Sequence, residues 1–135
     1  MNTAEVEKTL YKNYLKKARE FLQTSDDELI KEKWNSAVLN AIHSGISAAD
    51  SLTVFFKGIR HSGDRHGDVV KLLKELNLED LNAKARQLLA LIEVKNKTAY
   101  EETLMTKNDA NDANKNAKRF LSYVEKVLRE RDEKS

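Results

Sequence analysis

The chain has 135 residues with 24 basic and 22 acidic side chains, a formal net charge of +2. That length makes one domain covering 1–135, able to bury about two thirds of its unfolded surface, and the balance excludes the strong overall basicity of a dedicated nucleic-acid binder. No Pro, no Cys and only four Gly exclude a turn-dense all-β protein, disulfide staples and thiolate metal sites.

No basic-apolar-small signal segment opens the chain, and no apolar run approaches about 18 residues, so a cytoplasmic protein with no membrane contact is expected. Apolar spacing predicts a first helix over 3–23, with Leu10, Tyr14, Ala18, Phe21 and Leu22 on one side and Lys12, Lys16, Lys17 and Arg19 largely on the other. Residues 24–27 read as a break. Ser25 followed by Glu28 has the capping-box spacing that opens a helix.

The next helix is expected over 26–57 and is the most apolar. One stripe holds Trp34, Val38, Ala41, Gly45, Ala49, Leu52 and Phe56, and its small central residues admit a close neighbour. The opposite side interleaves Leu39, Ile46 and Val54 with His43, Ser47 and Asp50. A helix apolar on two sides is central in a bundle or shared with a second subunit.

Residues 57–68 carry three of the four glycines and read as a turn, with Gly58 as helix C-cap. A short helix over 67–76 buries Val69, Val70, Leu73 and Leu76, and 77–80 connects it to a helix starting near Leu81. In that helix Leu81, Ala85, Leu88, Leu89 and Ile92 form a stripe whose continuation is Asn96, an amide where an apolar residue is due. A last helix opens at Thr106 to Asp109 and runs to about Arg129 with Ala110, Ala113, Ala117, Phe120, Leu121, Val124 and Leu128 inward; 129–135 is expected to fray.

No His stands three residues after a Glu, so a di-metal bundle lacks its ligands, and there is no phosphate-binding glycine motif. No metal and no cofactor is expected. His61, Asp64, His66 and Asp68 crowd one loop, but such residues in a glycine turn are more often solvated turn formers. Lys57, Arg60, His61, Arg65, His66 and Lys71 form a basic patch able to neutralise phosphates, though it includes Asp64 and Asp68 and lacks an aromatic to stack a base. His43 and Asp50, seven apart, point about the same way on the second face of the long helix.

Three stretches resemble the HEPN superfamily of small all-α nucleotide-binding domains: SAVLNAIHSGISAADSLTVFF, KGIRHSGDRHGDVVKLL and VKNKTAYEETLMTKNDANDANKNAKRFLSYVEKVL. The resemblance implies an up-and-down bundle of four main helices plus one short helix, dimerising around an Arg, four to six residues, then His motif that cleaves RNA without metal. Here Lys95 stands where Arg is usual, Asn96 fits, and Tyr100 stands where His is usual. A Lys lacks the two-pronged guanidinium grip, and a Tyr titrating near pH 10 is a poor acid or base at neutral pH. Arg60 and His66 also have the spacing but lie in the glycine turn, a chance match.

The resemblance therefore implies a homodimeric component of a toxin-antitoxin or defence-type module that binds RNA, a nucleotide or a small nucleotidyltransferase partner, with catalysis degenerate. Two alternatives stand beside it. One is an active metal-independent endoribonuclease using Lys95, Asn96 and Tyr100 with the Arg60 to His66 loop. The other is a structural adaptor with no nucleic-acid binding.

Overall fold

The computed structural model describes residues 2–63, 67–100 and 102–133, the side chains of 96–100 and 133 excepted. A short strand β1 (Thr3–Glu5) leads through a 3-10 turn (Lys8–Leu10) into α1 (Tyr11–Ile30) and α2 (Trp34–Lys57). Strand β2 (Ile59–His61), α3 (Gly67–Lys74), α4 (Leu81–Tyr100) and α5 (Lys107–Glu133) follow. The fold is all-α, as the sequence indicates, with one small addition: β1 and β2 pair antiparallel, Thr3 opposite His61 and Glu5 opposite Ile59.

The first two helices differ from their expected bounds. Residues 3–10 do not belong to α1, and the expected break at 24–27 is helical. Thr24 donates its hydroxyl to the carbonyl of Glu20 at 3.1 Å, and Ser25 donates to the carbonyl of Ala37 on α2 at 2.8 Å. Hydroxyls that compete with a helix elsewhere are here spent on carbonyls, so the Ser25/Glu28 capping box does not form.

The true boundary is a Schellman motif. The Lys33 amide donates to Glu28 and the Glu32 amide to Leu29, with Glu32 in the left-handed region at φ 59°. Glycine is usual there; its absence hid the boundary from the sequence.

The buried stripe of α1 is Tyr11, Leu15, Ala18 and Ser25, whereas Leu10, expected inside, is exposed. α2 lies at the centre, with α1, α4 and α5 packed around it. Ser44 of α2 donates to the carbonyl of Ala18 at 2.8 Å, the reciprocal of the Ser25 bond, so two buried hydroxyls tie these helices in both directions. At Gly45 an added Cβ would stand 2.8 Å from Leu91 Cδ1; the missing side chain is what lets α4 sit so close. α2 ends at Gly58, φ 66°, as its sequence position indicates.

α5 opens as expected: the Thr106 amide donates to the Asp109 carboxylate and the Asp109 amide to the Thr106 hydroxyl, at 2.9 and 3.1 Å. Ala110, Ala113, Ala117, Phe120, Leu121, Val124 and Leu128 are all buried. Burying Phe120 alone contributes about 2–3 kcal/mol. The helix continues to Glu133, so residues 129–133 of the expected frayed tail are helical. Asn114, also buried, donates to Ser25 at 3.0 Å and to Asp26 at 2.9 Å. Through the Ser25 bond to Ala37, three helices thus share one polar chain. Among the described residues no helix is long and apolar enough to cross a membrane.

Candidate functional site

Three sides of α2 are covered. α1 packs on α2 and α5, and α4 packs on α2, α3 and α5; the fourth side of α2, between α1 and α4, carries Leu39, His43, Ile46, Ser47 and Asp50. All five are half-buried, so the second face anticipated from the sequence is real. Val54, placed on it by the same count, is instead fully buried.

His43 and Asp50 stand about 10 Å apart along the axis, at 1.5 Å per residue, each with its own surroundings. The His43 ring lies 5.3 Å from the Phe21 ring of α1, tilted by 36°. Burial, and secondly the ammonium of Lys95 on α4, hold its pKa below the ordinary imidazole value, which disfavours the charged ring. Burial drives the Asp50 carboxyl the other way, up to about 7, against the pull of Arg60 on β2 and Lys17 on α1. Three cations from three elements thus bear on this side of α2.

The expected basic patch is divided by its backbone. Residues 59–61 form a strand, whose side chains alternate between faces. Arg60 bears on Asp50 and donates to the His61 carbonyl at 2.9 Å, while His61 is buried. Lys57 is paired with Glu75 of the segment after α3 at 2.9 Å. Arg65 and His66 lie outside the described residues, as does Asp64. The structure therefore joins Arg60 to the His43 and Asp50 face and takes Lys57 and His61 away from it.

On α4 the buried stripe is Leu81, Ala85, Leu88 and Leu91, and Leu89 is exposed. The stripe is turned toward Leu91 from the expected phase, and Lys95, half-buried, is the described polar residue that continues it. The side chains of Asn96 and Tyr100 lie outside the described residues. Lys17, which sequence reasoning left among the outer charges of the first helix, is an added member. Its one signal was the four-residue spacing to Phe21, which puts both on one flank of α1.

Among the described residues no group of three or more His, Asp or Glu side chains is placed to hold a metal ion. The arrangement offers cations, an imidazole whose charged form is disfavoured, and a carboxyl that changes charge near neutrality. A comparison with curated proteins found no match. A family profile described as the HEPN domain matches residues 11–127, from the start of α1 into the last turns of α5. With that match over most of its length and an all-α bundle around a central helix, the chain belongs to the HEPN domain family.

Proposed function

We propose that this HEPN domain binds RNA or a nucleotide on the open side of α2, gripping phosphate groups with Lys17, Arg60 and Lys95. The observation that carries the reading is that cations from three elements reach this side of α2: Lys95 of α4 bears on His43, and Lys17 of α1 and Arg60 of β2 bear on Asp50. Family membership supports a nucleotide- or RNA-related role in general. Lys95 and Tyr100 in place of the family's usual Arg and His favour binding over cleavage.

The bound form is a homodimer closing over this side. Leu39 and Ile46 lie there among the polar groups, half-buried, and a second copy would cover them while doubling the cations in one cleft. Such a unit fits a toxin-antitoxin or defence-type module with a small nucleotidyltransferase as partner. Titration of labelled single-stranded RNA at two salt concentrations tests the binding: affinity falling steeply with salt supports it, and no binding at low salt refutes it. A monomer mass at micromolar concentration removes the dimer.

Metal-independent RNA cleavage is a second reading, favoured by the Asp50 carboxyl titrating near neutrality. It predicts RNA cleavage in chelator that is lost in Asp50→Asn.

A further inference from the structure

A groove of about 830 Å³ runs along the outer face of α5, between that helix, the start of α4 and the connector before it. It lies on a different face of α5 from the one buried against α2. Its floor is Leu78, Tyr123 and Val127, all half-buried, and the Tyr123 hydroxyl donates to the Glu79 carbonyl at 2.8 Å, which pins the connector to the helix. Five cations line it. Lys118 is paired with Asp26 at 2.9 Å and Arg131 lies over the Phe56 ring at 5.6 Å. Lys84, Arg119 and Lys126 are in no ion pair among the described residues.

We infer that this groove docks an acidic amphipathic helix of a partner protein. Charge complementarity gives the sign: with Lys118 offset by Asp26, Lys84, Arg119, Lys126 and Arg131 still exceed the lining carboxylates of Glu79, Asp80 and Glu130 by one. Those same carboxylates argue against a nucleic acid, whose evenly spaced phosphates would meet them, whereas a peptide can place neutral or basic residues opposite them. The apolar floor needs side chains that a phosphate backbone does not offer, and an amphipathic helix in a groove supplies them at helical spacing. From Lys118 to Arg131 the groove follows α5 for about 20 Å at 1.5 Å per residue, the length of about 13 residues of docked helix.

The probe is a synthetic helical peptide of that length, Glu on one face and Leu on the other, titrated by fluorescence anisotropy against the intact protein. The expected result is saturable binding that weakens at least about tenfold in the Lys84→Glu, Arg119→Glu, Lys126→Glu triple variant. Binding is also expected to weaken in Leu78→Ser, whose charge is unchanged, and to persist in Lys17→Glu and Lys95→Glu, which alter the α2 side. A thermal melt of the triple variant matching the parent shows that the fold is intact. Equal binding to parent and triple variant, equal binding of a Lys-for-Glu peptide, absence of peptide binding, or single-stranded RNA being the ligand whose affinity the triple variant abolishes each overturns the inference. Because the open side of α2 is not involved, failure here leaves the proposed RNA site standing, and the converse holds.

Discussion

The Arg60 guanidinium pulls the Asp50 carboxyl toward its charged form, yet burial outweighs that pull and leaves Asp50 with a pKa of about 7. A carboxyl at that value is half-charged under ordinary conditions. The side of α2 that bears it therefore changes its net charge across the neutral range.

Stability follows from that shift. The folded pKa of Asp50 lies above its unfolded value of 3.8, so between those two values the folded chain holds a proton that the unfolded chain has lost. Stability contributed by Asp50 is thus full at low pH and is lost as pH rises toward about 7. Asp50→Asn is expected to raise the free energy of unfolding at pH 8 by about 2 kcal/mol, after allowance for partial exposure, and to flatten the pH dependence between 4 and 7. His43 acts oppositely. Its lowered pKa means the unfolded chain binds the proton first as pH falls below 6.5, so its contribution declines toward acid, and His43→Gln is expected to remove that decline. Urea melts of both variants across the pH range check the signs.

Glu32 occupies a left-handed position at φ 59° where the Schellman motif favours glycine. Glu32→Gly is expected to stabilise the protein by about 0.5–1 kcal/mol, the relief of the Cβ contact less the entropy gained by the unfolded chain. A chemical-denaturation midpoint shifted upward with an unchanged slope is the readout. A lowered midpoint would mean that residues 31–33 do not turn this way.

Asn114 is buried and bonds both Ser25 and Asp26. Asn114→Ala leaves the Ser25 hydroxyl with its bond to Ala37 but removes both amide bonds and strips Asp26 of a donor. A loss of about 1–3 kcal/mol is expected. Asn114→Leu is expected to lose at least as much, since it adds bulk without a donor; thermal melts distinguish the two.

The same residues show what the sequence could and could not disclose. α3, the start of α4, the Thr106 cap, the Gly58 cap and the inward face of α5 follow from spacing and punctuation, because each depends on residues within a few positions of one another. The boundary of α1 and α2 does not, since Ser25 and Thr24 are read as breakers unless one knows that Ala37 and Glu20 offer carbonyls. The pairing of Thr3 with His61 joins distant segments too short to show alternation. For the candidate site, His43 and Asp50 were legible as a second face on one helix. Arg60 and Lys95 were legible as candidates but not as neighbours of that face, which they and Lys17 join only through the packing of three other elements on α2, and α4 buries Leu91 where the spacing points to Leu89.

If the cations grip phosphates, each contributes to the salt dependence of RNA binding. Lys17→Ala, Arg60→Ala and Lys95→Ala are each expected to weaken binding and reduce the slope of log affinity against log salt by about 0.7 for a single strand. Lys12→Ala, on the exposed flank of α1, is expected to leave the slope unchanged.

The most direct measurement is a nuclear magnetic resonance titration of the protein with a short single-stranded RNA, following the His43 ring and the backbone amides. Saturable shifts of the His43 ring, and of amides near Asp50, Arg60 and Lys95, are the predicted result. Shifts confined to other faces, with the His43 ring unmoved at saturation, would contradict the placement of the site on the open side of α2.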